Sequence, residues 1–341
     1  MRIEDSVGNG ERVVTQQRVV TQADRCAVEI RPHSGRLGLG AYTTRDRVLC
    51  FFTSSSILYS LSFTALNSRP RQMPEPLLLT GTAEGVKQLT LNRPDKRNAL
   101  TRELLTELLT ALNDAAATPE LRLLVLAANG PAFCAGMDLV QMEETAGRPD
   151  AQQVWRADTQ LYHAVVSTLF QLSVPTLAVV QGPAVAGGLG LVLGCDLVLA
   201  ADSAIFALPE PKRGITAAIV SPLLVYRAGV SGASSLLFSG ESIDAHRAQQ
   251  IGICQNVVAS KQLETVAADS VRSILSGAPG ALAISKRQLR ECAGQNVLAQ
   301  LAAAVAVSAT ARETAEAREG LAAFLEKRAP SWQPEERRQS S

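Results

Sequence analysis

PTLAVVQGPAVAGGLGLVLGCDLVLAADSAIFALPEPKRG, residues 175–214, is the stretch from which the rest of the chain is read. It joins an apolar β-type run at 176–180, a Gly/Pro turn at 181–188 and a small-residue apolar helix candidate at 187–195. A second buried strand at 196–201 follows, then a lone acid, Glu210, among prolines. At a helix start the first backbone N–H groups have no partner within the helix and carry the positive end of its dipole. Ala186, Gly187 and Gly188 place little or no side chain in front of those groups, so a substrate oxygen can reach them. Strand, glycine turn and helix start together suit an oxyanion site, although glycine spacing alone equally describes a tight turn packed for its own sake. A dinucleotide fingerprint fits worse. Gly188, Gly190 and Gly194 are spaced GxGxxxG, and no strand ending in an acid follows about 20 residues later. Pro183, Gln181 and Asp196 interrupt the apolar run and argue against a membrane span.

Working outward, 341 residues with 46% hydrophobic content can bury a large core. Lys and Arg (33) balance Asp and Glu (32), so no global field points to nucleic acid or an acidic membrane, and any phosphate must be met by local basic clusters. The six cysteines lack CxxC spacing, which argues against a zinc site and a disulfide framework and sets a reducing, cytoplasmic compartment as the expectation. His163 and His246 lie in no nucleophile elbow or HxxxH pattern, so neither is expected to be catalytic or to bind metal.

Residues 1–74 differ in texture. The first forty are polar and carry Glu4, Asp5, Glu11, Asp24 and Glu29, unlike a cleaved targeting peptide. Seven of the nineteen positions in 48–66 are Ser or Thr, too many for a stable membrane span. This extension is expected to be disordered or to reflect a start placed too early, with Met73 as an alternative start. From Leu77 strands alternate with amphipathic helices: a strand at 86–91, a helix opened by Thr101, a buried strand at 121–127, and a helix at 151–172 after a polar, mobile loop at 141–152. Alternation of this kind means an α/β core.

Four pieces carry a resemblance: LNRPDKRNAL (91–100), GPAFCAGMDL (130–139), the glycine stretch (181–210) and GLAAFLEKRAPSW (320–332). In this order and at these separations they resemble the enoyl-CoA hydratase/isomerase (crotonase) family over residues 77–332. The resemblance implies an α/β fold, a crotonase-like spiral of ββα units with a helical C-terminal trimerisation region. The boundaries it suggests are an extension at 1–74, the ββα core at 75–268, the helical region at 269–332 and a tail at 333–341. It further implies an enoyl-CoA hydratase, a lyase acting in fatty-acid or branched-chain acyl-CoA breakdown, working as a homotrimer or dimer of trimers on an acyl-CoA thioester. Coenzyme A would be part of the substrate, with no cofactor and no metal.

By the same resemblance the backbone N–H groups of Ala135 and Gly187 form the oxyanion hole and Glu210 is the catalytic acid/base. Lys96, Arg97 and Lys327 are phosphate contacts, and Gly136, Met137, Asp138 and Phe324 complete the substrate and CoA site. Asp138 also reads as the cap of the next helix, and Arg213 as a contact for a substrate carboxylate or a solvated loop cation. Hydratases of the family use two glutamates, and the first position is Gly190 here. That departure brings in an isomerase with a single glutamate as the alternative, and a non-catalytic acyl-CoA-binding relative as a third reading. Residues 212–229 are similar to bacterial hydratases of methylglutaconyl-type branched acyl-CoAs, which favours hydration.

Overall fold

The computed structural model describes residues 76–333 and, as backbone alone, three earlier strands. The chain divides into two compact units, Met1–Met73 and Pro74–Ser341. In the first, β1 (Gly38–Thr44), β2 (Arg47–Ser54) and β3 (Ile57–Ser60) form an antiparallel three-stranded sheet. The remainder of the extension, with its expected disorder, lies outside the described residues.

In the second unit β4 (Leu78–Ala83) turns back antiparallel to β5 (Val86–Leu91). From there β6 (Leu123–Ala128), β7 (Thr176–Val180), β9 (Leu197–Ala201) and β12 (Asn256–Val258) add in parallel to make a six-stranded sheet. A smaller sheet of β8 (Ala184–Val185), β10 (Ile205–Ala207) and β11 (Ser242–Asp244) takes the strands that follow β7 and β9, with β11 antiparallel to β10, and a bridge from Cys134 to Ala184 extends it. Repeating strand, second strand and helix in this way gives the expected ββα units.

Helices cover both faces of the large sheet, which is why β6 reads as an unbroken apolar run rather than an alternating one. Leu124 and Leu126 face the main core, whereas Leu123 and Val125 join Leu177, Leu199 and Leu263 on the opposite side. The main core is closed by α1 (Arg102–Ala116) and α3 (Ala151–Gln171), and the other face by α7 (Leu263–Leu275). Thr101 caps α1 by accepting from Leu104 N, and Leu104, Leu105, Leu108, Ala111 and Leu112 then recur on one buried face.

Residues 141–146, read from the sequence as the start of a polar loop, instead lie in α2 (Leu139–Ala146), whose start is held by Asp138 accepting from the N–H groups of Val140 and Gln141. Its last turn is tied by Thr145 Oγ1, which donates to Gln141 O and accepts from Arg102. Polar residues here satisfy a helix rather than solvate a loop.

Between the sheets runs α4 (Gly187–Gly194), buried at every position, as a helix apolar all round must be. The chain continues through α5 (Val220–Ser239), broken at Gly229 with φ 65° and ψ 173°, and α6 (Ala245–Gln250), capped by Asp244. Three more helices follow: α8 (Pro279–Ala293), α9 (Val297–Ala311) and α10 (Ala315–Leu325). The buried Lys286 of α8 ties this region to the core through Asp196 Oδ2 (2.7 Å) and Val174 O (2.8 Å). α9 lies on α3 and α5, and α10 lies on the turn that carries Glu210. Among the described residues no single helix is long and apolar enough to cross a membrane.

Candidate active site

One half of the site is built by a strained turn. Ala186, between β8 and α4, has φ 53° and ψ −125°, a combination that side-chain-bearing residues rarely adopt. Its own N–H is held by Ala207 O (2.9 Å), so the turn is fixed from the small sheet while the next amide, Gly187, opens α4 without an intrahelical partner. Residues 134–137 lie against this turn. A Cβ on Gly136 would come within 2.8 Å of Ala186 Cβ and 3.2 Å of Gly187 N, so only glycine, here at φ +89°, lets the two backbones approach.

The pairing read from the sequence changes at this point. Ala135 lines the cavity, but its N–H donates to Arg97 O at 3.0 Å and is not available to a substrate. Leu100 bridges this segment by donating to Gly136 O (2.8 Å) and accepting from Asp138 N (3.0 Å). A bridge made through residues 136 and 138 leaves the Met137 N–H on the other side, toward the cavity that Met137 lines. Met137 and Gly187 therefore present the free donors. Alternation along an extended segment is the physical reason: residues 135 and 137 share a face, but the basic turn has already taken the first.

That basic turn is pinned by a residue the sequence did not single out. Asn98 is fully buried; its Oδ1 accepts from Arg93 N (2.7 Å) and its Nδ2 donates to Asn129 O (2.8 Å) and Ala132 O (2.9 Å). Lys96 and Arg97 project beside it, both exposed. Asp138 is spent on the α2 cap and on an ion pair with Arg93 at 3.1 Å, which makes it a positioning residue rather than a substrate contact.

The acid stands across the cavity. Glu210 opens a short 3-10 helix, Glu210–Arg213, and is 7% exposed, and its Oε2 is buried with no hydrogen-bond partner. Burial pushes its carboxyl up to about 7, and its own backbone N–H and the positive charge of Arg213 offset that only in part. Such a group divides between acid and base near neutral pH, as proton transfer requires. The turn is pressed from behind by α10: a Cβ on Gly214 would overlap Glu316 O, and one on Gly320 would overlap Arg213 O. Glu210, Met137, Tyr162 and Gly187 face one cavity of about 60 Å³, room for a few waters.

Gly190 has a structural explanation. A Cβ there would overlap the Tyr162 hydroxyl and come within 3.1 Å of Val220 Cγ2. Tyr162, from α3, fills the volume a side chain at 190 would need, and its hydroxyl donates to Gly187 O (2.7 Å). Burial, with Cys134 and Glu210 close by, holds that hydroxyl well above its ordinary range, so it stays protonated. Its place on the same face of α3 as Val165, Val166 and Leu169 was the available signal, masked by its resemblance to an ordinary core aromatic.

A second cavity of about 220 Å³ shares Leu139, Met142, Arg213, Ile215 and Arg312 with the first, and Trp155 forms part of its wall. The guanidinium of Arg213 lies 4.3 Å from the centre of the Phe324 ring. Phe324 and Lys327 are exposed and, like Lys96 and Arg97, lie outside the walls of both cavities. His163 is half-buried on α3, paired with Ser167 Oγ at 3.1 Å, and takes no part in either.

Residues 81–335 match the family described as enoyl-CoA hydratase/isomerase. Over 260 residues the chain is 34% identical to 2,3-dehydroadipyl-CoA hydratase of Escherichia coli (strain K12), an alignment covering 75% of this chain and 98% of that protein. It is 32% identical over 260 residues to enoyl-CoA hydratase domain-containing protein 2, mitochondrial, of Mus musculus, covering 74% of this chain and 86% of that one. The crystal structure of an enoyl-CoA hydratase from Mycobacterium avium superposes with a TM-score of 0.67 at 31% identity, over 75% of this chain and 99% of that one.

Proposed function

Because the chain belongs to the enoyl-CoA hydratase/isomerase family, we propose that it adds water across the C2=C3 bond of a 2-enoyl-CoA, with Glu210 as the acid/base group. One observation carries this reading: the unpartnered Oε2 of a buried carboxyl shares a cavity with the free N–H groups of Met137 and Gly187. The thioester oxygen accepts from those two donors. As the water oxygen bonds to C3, the π electrons move through C2 onto the thioester oxygen to give an enolate, and Glu210 takes the proton that the water releases. Collapse of the enolate takes the same proton at C2, so both hydrogens and the oxygen of one water end in the product and Glu210 is restored. Two backbone donors aimed at the enolate stabilise it by about 3 kcal/mol each. Coenzyme A arrives with the substrate, so the chemistry needs no separate cofactor.

Isomerisation is the second reading, and Gly190 favours it. With Tyr162 in the place of a second carboxylate, one acid carrying a proton between C4 and C2 uses the same groups without water. Matched 2-enoyl- and 3-enoyl-CoAs, followed by mass for gain of water and by double-bond position, separate the two. Water gain on the 2-enoyl ester supports hydration. Double-bond migration alone assigns the isomerase, and ligand-induced thermal stabilisation with no turnover assigns a binding protein. Trimer formation through the C-terminal helices is part of the proposal. Exposed Val230, Phe238, Leu289 and Val307 on α5, α8 and α9 support it, and light scattering tests it.

A further inference from the structure

The cavity that adjoins the Glu210 pocket is lined by groups an unmodified acyl chain would leave unsatisfied. Arg312, at the end of α9, has its Nη1 buried with no hydrogen-bond partner, and so does the indole Nε1 of Trp155 on α3. Both line the same cavity of about 220 Å³, and Arg213 lines it too. A straight hydrocarbon tail in this place would strand two buried donors and two cations, an arrangement that costs far more than an apolar wall.

Nearby acids do not fill the role. Asp158, whose charge reaches Arg312, is held by Arg102 in a two-pronged pair, Nε to Oδ1 at 2.6 Å and Nη2 to Oδ2 at 2.9 Å. Glu143 is exposed at the rim. Nor is Arg312 a swinging surface side chain. The end of α9 is fixed by Gln152 Nε2 donating to Glu313 Oε2 (2.7 Å) and Arg318 Nη1 donating to Glu313 O (2.8 Å). Arg312 and Arg213 also line the Glu210 cavity, so an acyl group that starts at Met137 and Gly187 and passes Glu210 runs on toward them.

We propose that the distal end of the acyl group carries a carboxylate, bound by Arg312 and Trp155 with Arg213 beside them, so that the preferred substrate is the mono-CoA thioester of an unsaturated dicarboxylic acid. This rests on the reading of Glu210, Met137 and Gly187 as the thioester site. A guanidinium and an indole N–H are the donors that suit a carboxylate in a water-poor place. The phosphates of coenzyme A are the other source of negative charge. They fall to the exposed Lys96, Arg97 and Lys327, which stand outside this cavity.

Binding and turnover are tested separately. Adipyl-CoA and hexanoyl-CoA differ only at the far end and are saturated, so their affinities, measured by isothermal titration calorimetry, do not depend on any chemistry. The full-length protein should bind adipyl-CoA more tightly by at least about 10-fold, and the corresponding 2-enoyl esters should show the same preference in kcat/KM. Arg312→Met should bring the ratio of the two esters toward one, and Arg312→Lys should restore part of it. Equal or reversed affinities in the unaltered protein overturn the proposal. So does a loss on Arg312→Met that is the same for both esters, and so does a preference that vanishes with pantetheine in place of coenzyme A, which would assign the arginine to phosphate. Should Arg312→Met fail to fold, Trp155→Phe alone must still lower the ratio. Selective binding without turnover of any enoyl ester would keep this inference and remove the hydratase reading.

Discussion

The two joined cavities treat buried charge in opposite ways. At Glu210, burial strips a carboxyl of partners until it holds its proton to about pH 7, and the charge of Arg213 offsets this only in part. On the Arg312 side, burial depresses a guanidinium that nonetheless stays charged, because an arginine has no neutral form within reach. A desolvated acid escapes the cost of burial by becoming neutral, and that escape is its chemistry. A desolvated arginine cannot, and its cost is recovered only when an anion arrives. In the proposed reading, the difference separates a group that moves protons from a group that selects substrate.

The largest effect belongs to the acid. Glu210→Gln removes the proposed proton carrier while keeping size and shape, so kcat should fall by about 10² to 10⁴ in hydration and isomerisation alike, with CoA-ester affinity retained. Near-normal turnover would mean that the proton is carried elsewhere.

The same substitution should stabilise the fold, and only in one pH range. A carboxyl at 4.5 when unfolded and about 7 when folded binds more protons in the folded state, so its burial costs nothing below pH 4.5. The cost grows as pH rises and is complete above about 7, reaching on the order of 3 kcal/mol at 1.36 kcal/mol per unit. Chemical denaturation of wild type and Glu210→Gln should therefore coincide near pH 4 and diverge toward pH 8, with the variant more stable. A gap independent of pH would show that the carboxyl is not held in its acid form.

Next comes the position opposite. Gly190→Glu does not restore a second acid, because the Tyr162 hydroxyl occupies its space. It should destabilise by about 1–3 kcal/mol as an overpacked core does, and lower activity. Tyr162→Ala in the same chain should recover stability, and only that double variant can report whether a second carboxylate favours hydration.

The smallest effects lie outside both cavities. Lys96→Ala, Arg97→Ala and Lys327→Ala should each raise KM a few-fold with kcat nearly unchanged, and the change should shrink as salt is raised. Equal KM changes for CoA and pantetheine esters would remove these residues from phosphate binding.

Much of the fold was legible because its signals are local. The strand at Val86–Leu91, the Thr101 cap and the glycine-led start of α4 coincide with their readings, since propensity, capping and small-residue packing act within a few positions. Asp138 was legible as a cap for the same reason. Residues 141–146 were misread as loop because their polar side chains find partners on α1, which no local pattern shows.

In the site, sequence alone determined the glycines that let backbones meet and the identity of the lone acid in its proline-bounded turn. Which amide faces the cavity was decided by tertiary structure: Arg97 O, brought over by the Asn98-pinned turn, takes the Ala135 N–H and leaves that of Met137. Tertiary structure likewise put Tyr162 into the space beside Gly190. It also carried Arg312 on α9 to a cavity that begins with α2, more than a hundred residues earlier in the chain. The physical reason is the same in each case. Hydrogen-bond satisfaction, excluded volume and desolvation belong to whatever groups share a place, and only the folded chain decides which groups those are.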